Sequence, residues 1–181
     1  MAGPVHEGFK RMRDGSPVDL LDWVRDSIEV SPGVEILVGS DSQNRMRHTV
    51  YTTTVVLRYH RNGAQVAYQR EHATKVTDLW TRLWGEVERS VRLARWLSEE
   101  GGVPVRRIDM DLNSDESHAS HKLHAAAVGY VRAHGYEPNT KPSMLIASWA
   151  ADVLCNGSVR KHEAPIHRKA DRGDVTLQID L

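Results

Sequence analysis

Val34–Gln43, VEILVGSDSQ, starts as an apolar strand and ends on an acid set between two serines. The apolar run from Val34 to about Ser40 predicts a buried strand, with Asp41 at its tip. Gly, Ser and Asp often close a strand in a turn, so Asp41 read alone fits plain turn chemistry. A chemical role for it needs carboxylate partners from other segments.

On the N-terminal side, residues 1–15 read as a flexible leader. Ser16 and Pro17 have the pattern of a helix cap and a first helical residue. The helix would continue through VDLLDWVRDSIE with Leu20, Leu21, Trp23, Val24 and Ile28 inward, and Ser31-Pro32-Gly33 would end it. On the C-terminal side, HTVYTTTVVLRYH is rich in β-branched and aromatic residues and predicts a second strand. Arg61-Asn62-Gly63 supplies a hairpin turn and AQVAYQREH a third strand. Three consecutive antiparallel strands follow from this. A long helix over about Thr77–Glu100 comes next, closed by Gly101-Gly102. VRRIDMDLN predicts a fourth strand, DESHASHKLHAAAVGYVRAHG a helix ended by Gly135, and YEPNT a short last strand. From Pro142 a final helix, PSMLIASWAADVLC, runs to Asn156-Gly157. The order helix-β-β-β-α-β-α-β-α implies an α/β fold, a mixed sheet with helices on its faces. Residues 16–156 form one domain with an added N-terminal helix, and residues 157–181 read as a tail with a short closing strand at VTLQIDL.

The totals narrow the class. The 181 residues suffice for one domain with a sizeable core. Lys plus Arg and Asp plus Glu balance at 24 each, which argues against a strongly basic, non-specific nucleic-acid coat but not against a local basic groove. No apolar run reaches membrane-span length and the N-terminus lacks a signal-peptide core, so no membrane association is expected. The one cysteine, Cys155, has no internal disulfide partner, which fits a cytoplasmic protein.

The acids then fall into a pattern. With about 100° per residue and Leu83 at zero, Leu79, Val87, Ser90, Ala94 and Leu97 share one stripe of the long helix. Glu86 lies on the shoulder of that stripe, at about −60°, and would point toward the sheet. Glu88 lies at about 140°, among Arg92 and Arg95, and reads as a solvated acid pairing with Arg92. In IDMDLN, Ile108, Met110 and Leu112 share one face while Asp109 and Asp111 share the other. Asp111, before Asn113-Ser114, also suits a cap for the following turn or helix. The last helix is apolar or small from Met144 to Leu154 apart from Ser148 and Asp152, which places Asp152 in the interior or in a cleft. For Asp152 a structural hydrogen bond and a metal both remain open. Asp at the first strand's end, Glu in the long helix, Asp at the fourth strand's end and Asp in the last helix form a pattern that, brought together by the fold, would be a cluster of like charges. A hard divalent cation offsets such a cluster, and an oxygen-only set favours Mg²⁺ or Mn²⁺ over Zn²⁺.

VGSDSQ, LWTRLWGEVERS, IDMDLN, AAAVGYV and KPSMLIASWAAD, spread over residues 34–156, resemble the ribonuclease H-like superfamily and, within it, the YkuK-type group of small nucleases. The resemblance implies a five-stranded mixed sheet, its first three strands antiparallel, with helices on both faces. It implies that Asp41, Glu86, Asp111 and Asp152 are metal-binding, catalytic carboxylates, Asp111 being preferred to Asp109 because the match runs through DLN. It further implies two Mg²⁺ or Mn²⁺ ions bridged by Asp41, hydrolysis of a nucleic-acid phosphodiester by a two-metal mechanism, and products with 5′-phosphate and 3′-hydroxyl ends. Arg82 and Lys141 are candidate phosphate contacts, solubilising roles being the alternative. One departure is plain: the loop GYEPNTK before the last helix has no histidine, which leaves proton transfer without an assigned residue.

Other features read more simply. His118, His121 and His124 suit a polar helix surface better than a metal face. Residues 160–172, RKHEAPIHRKADR, suit a solvated tail better than a nucleic-acid grip. Trp80, Trp84 and Trp96 suit packing or an oligomer contact better than base stacking, and Cys155 suits a buried small residue. A metal-dependent nuclease is the leading reading. The alternatives are a non-catalytic nucleic-acid- or protein-binding module on the same fold, and an enzyme acting on another phosphate ester. RNA against DNA, the mode of cleavage and the oligomeric state stay open.

Overall fold

In a computed structural model, which describes residues 5–60 and 63–156, six strands form one sheet of order β1-β4-β3-β2-β5-β6. The strands are β1 (Lys10–Arg11), β2 (Glu35–Asn44), β3 (His48–Tyr59), β4 (Gly63–Thr74), β5 (Arg107–Asn113) and β6 (Glu137–Lys141). The helices are α1 (Leu20–Val30), α2 (Leu79–Glu99), α3 (His121–Ala133) and α4 (Ile146–Asn156). β2, β3 and β4 form the expected antiparallel meander, and β5 and β6 add to β2 in parallel. The mixed α/β architecture agrees with the sequence reading, but the sheet has six strands rather than five. The additional strand, β1, pairs antiparallel with β4 along its outer edge.

β1 arises inside the segment expected to be a flexible leader. Phe9 is fully buried beside Leu20 and Ala67, and this apolar anchor holds Lys10 and Arg11 against β4. The first helix also starts later than Ser16-Pro17 suggested. Asp19 is its cap, its carboxylate accepting from the backbone N–H groups of Leu21 and Asp22. Two early amide donors are thereby satisfied, a role Ser16 is too far upstream to fill. α2 is capped by Asp78 through Thr81 N. It ends where Gly102 takes a positive φ of 66°, and Val103 N returns to Leu97 O at 2.9 Å. The final helix begins at Ile146, four residues beyond Pro142. Any strand in the tail lies outside the described residues.

Strand alternation sorts the two faces. Ile36, Val38, Val55, Leu57, Ile108, Met110 and Leu112 join α1, α2 and α3 in the larger core. Leu37 and Val56 point the other way, toward Ala147 and Ala150 of α4. Gly39 makes this second layer possible. A Cβ there would stand 2.8 Å from Ser148 N and 2.9 Å from the Ala147 Cβ, so α4 lies directly on the β2 backbone.

Candidate functional site

Asp41 is not at a strand tip. β2 continues to Asn44, and Asp41 is paired with Thr52 of the long neighbouring β3. A turn reading therefore fails. Twelve residues of β3 hold the β2 backbone extended past the serines, which sequence alone read as the end of the strand. The alternation sends Ser40 and Ser42 to the α2 side. Ser40 Oγ donates to Thr53 Oγ1 at 3.0 Å and accepts from Ser90 Oγ at 3.0 Å, while Ser42 Oγ donates to Glu86 Oε1 at 2.5 Å. Asp41 falls on the α4 side, partly buried. Burial, and then the charge of Asp152, push its carboxyl up to about 6.

Glu86 is buried on the α2 face turned to the sheet, as the helical periodicity indicated. Its desolvation, then the nearby charge of Asp41, raise its carboxyl to about 8, against the opposing pull of the Ser42 hydrogen bond and Arg82, and Asp111 adds to the rise. Asp41 thus feels Asp152, and Glu86 feels both Asp41 and Asp111. β2, α2, β5 and α4 each contribute one acid to a neighbourhood of pairwise influences, Asp152 on Asp41 and Asp41 and Asp111 on Glu86. Asp152 departs from expectation by being exposed, on the outer stripe of α4 with Trp149. Its carboxylate accepts from Asn156 Nδ2 at 2.6 Å.

Asp109 and Asp111 share a face of β5, but their surroundings differ. Asp109 is fully buried and accepts from Asn139 Nδ2 and from Ala147 N, both at 2.8 Å. It caps the first turn of α4 from the sheet, which explains its burial without chemistry. Burial raises its carboxyl, and these two hydrogen bonds oppose the rise. Asp111, two residues on, is exposed and pairs with Lys141 Nζ at 2.6 Å. The candidate cations are therefore already engaged. Arg82 Nη1 donates to Ser42 O at 2.6 Å and Ser42 Oγ at 2.7 Å, and lies 3.7 Å from Glu86 Oε1. Lys141 is held by Asp111. Sequence reasoning missed both ties, and the i,i+4 spacing of Arg82 and Glu86 was the available signal.

The remaining features are structural. Glu88 accepts from Trp84 Nε1 at 3.0 Å instead of pairing with Arg92. Among the three spaced histidines, His124 Nε2 lies 3.0 Å from Thr140 Oγ1, across to β6. His134 stays on its own helix, its Nδ1 2.9 Å from Tyr130 O. Cys155 is buried under β2, its Sγ donating to Thr52 Oγ1 at 3.0 Å, and burial pushes the thiol up to about 12. A cavity of about 410 Å³ lies at the opposite end of β2, lined by Gly33, Glu35, Pro104 and Arg107, away from the acids.

Against known proteins, the description Ribonuclease H-like matches residues 21–155, three quarters of the chain. The chain belongs to the ribonuclease H-like family. Searches of curated proteins and of solved structures found no match. The matched span opens at the second residue of α1 and closes at Cys155, so it takes in the sheet from β2 onward and every acid of the neighbourhood. Among the described residues of this ribonuclease H-like chain, no three His, Cys, Asp or Glu side chains stand close enough together to hold an ion. The donors nevertheless suit a hard cation in kind: all are carboxylate oxygens, and the carboxyls of Asp41 and Glu86 are raised by burial first and by neighbouring acids second. A cation would draw them from Ser42, Lys141 and Asn156, their partners in this structure.

Proposed function

We propose that this ribonuclease H-like chain is a metal-dependent nuclease that hydrolyses nucleic-acid phosphodiesters, of the YkuK-type group that VGSDSQ and KPSMLIASWAAD resemble. What supports the reading is the ribonuclease H-like match over residues 21–155 together with the raised carboxyls of Asp41 and Glu86, which burial causes first and the neighbouring charges of Asp152, Asp41 and Asp111 increase. In this reading Asp41, Glu86, Asp111 and Asp152 would hold Mg²⁺ or Mn²⁺. Bound there, such ions would supply an activated water and charge stabilisation for the leaving oxygen. Ser42 orients the Glu86 carboxylate, Arg82 fixes Ser42, and Lys141 guards Asp111 until phosphate or a cation displaces it.

The test is a cleavage panel of single-stranded RNA and DNA, their duplexes, a hybrid and branched DNA, with Mg²⁺ or Mn²⁺. Asp41→Asn should lower cleavage by at least about 100-fold while keeping the parent's circular dichroism, given the several kcal/mol that metal-assisted catalysis contributes. Cleavage by D41N at the parent's rate would reject the reading.

A second reading, a non-catalytic nucleic-acid-binding module, draws on the same carboxylates. Glu86, Asp111 and Asp152 each have a hydrogen-bond or ion-pair partner within the chain. Nucleic-acid binding without cleavage, together with no calorimetric signal for Mg²⁺ or Mn²⁺, would favour it.

A further inference from the structure

Five large apolar side chains stand exposed among the described residues: Val30, Met46, Trp80, Met144 and Trp149. All but Val30 lie close along the chain to a residue of the carboxylate site or to one of its hydrogen-bond or ion-pair partners. Met46 tips the β2–β3 hairpin, two residues beyond β2. Trp80 lies in the first turn of α2, two residues before Arg82, which reaches Ser42. Met144 follows β6, whose last residue holds Asp111. Trp149 lies one turn before Asp152 on the outer stripe of α4. The two indoles among them, Trp80 and Trp149, leave 43% and 53% of their surface open to a ligand.

Cations accompany these side chains. Lys122 Nζ stands 6.0 Å from the centre of the Trp80 ring. Arg45 and Arg47 flank Met46, and Lys75 Nζ donates to Met46 O at 3.3 Å. None of these four cations pairs with a carboxylate among the described residues. Aromatic faces with interleaved cations bind an unpaired strand, bases on the rings and phosphates on the charges. A duplex keeps its bases stacked on one another and offers mainly phosphates, for which a chain of zero net charge has little attraction.

We infer that the rim of the carboxylate site binds single-stranded nucleic acid, with Trp80 and Trp149 as base-stacking platforms on its α2 and α4 sides. The inference rests on the nuclease reading for its substrate role, but the binding it describes needs no metal. Trp84 and Trp96 take no part. Trp84 packs on Tyr130, with ring centres 5.1 Å apart, and Trp96 stacks on His6 at 4.4 Å.

The test measures fluorescence anisotropy of a labelled oligo-dT or oligo-rU of about 12 nucleotides, and of a blunt duplex of equal length, in EDTA and low salt. The single strands should bind more tightly than the duplex. Trp149→Ala and Trp80→Ala should each weaken single-strand binding roughly tenfold, with W149F and W80F restoring most of it. Val30→Ala should bind like the parent. The inference falls if both alanine variants bind like the parent, if the duplex binds as tightly as the strands, or if neither ligand binds. Its failure separates from that of the nuclease reading. Tryptophan-dependent strand binding with no cleavage in Mg²⁺ or Mn²⁺ removes the nuclease alone. Duplex cleavage with both tryptophans silent removes this inference alone.

Discussion

Glu86 is an acid held out of water against its own ionisation. Its carboxyl stands at about 8 in the fold against 4.5 unperturbed, with burial as the first cause and Asp41 as the second. The folded protein therefore binds more protons than the unfolded chain between those values, and stability falls as pH rises through the window. Asp41 adds the same sign between 3.8 and about 6. Glu86→Gln removes the larger share. In EDTA, urea unfolding of the parent should lose on the order of 1–3 kcal/mol more than E86Q between about pH 5 and 8.5. Equal losses would mean that the Glu86 carboxyl is not desolvated. This residue was legible in the sequence because a single helical repeat placed it on the shoulder of an apolar stripe. The tie of Arg82 to Ser42 was not, since it spans 40 positions between a helix and a strand.

At the scale of elements, the start of α4 is fixed to the sheet by the missing side chain of Gly39, the bond from Ser148 Oγ to Asp109 O, the bond from Thr54 Oγ1 to Ala147 O and the Asp109 carboxylate on Ala147 N, and its end by Cys155 Sγ on Thr52 Oγ1. This arrangement separates two aspartates that the alternation of β5 cannot tell apart. Asp109→Ala strands a buried amide and should cost about 1–3 kcal/mol in chemical denaturation. Asp111→Asn loses only a half-exposed ion pair and should cost less than about 1 kcal/mol while, under the nuclease reading, stopping cleavage. The reverse order would exchange the two roles. The regular elements were legible because β3 concentrates β-branched residues and α2 has a clean apolar period. Their ends were less so. β2 runs through Gly39-Ser40 because β3 pairs with it, and α1 waits for Asp19 because Phe9 draws the preceding chain to β4.

For the molecule as a whole, the even balance of 24 basic and 24 acidic residues sets how it meets a polyanion. Under the proposed strand binding, a few local cations with the rings between them would hold the nucleic acid. The logarithm of affinity should therefore fall with the logarithm of salt at a slope of about −2 to −3, well short of the roughly −10 of a protein that neutralises many phosphates. A steep slope in an anisotropy titration would point to a long basic track instead. The fold class and the order of its elements were visible from one chain because each helix and strand carries its own period. The β1 edge was not, since two residues have no period to read.

Cys155, the chain's one thiol, lies between α4 and the strand bearing Asp41, its sulfur 3.5 Å from the Asp41 carbonyl oxygen. Cys155 is the penultimate residue of α4, so an alkylating reagent reaches the buried sulfur when the last turn of α4 opens. The fold thus contains its own clock: the pace of thiol labelling counts how often that turn opens, and any ligand that holds it closed would slow the labelling without an engineered probe.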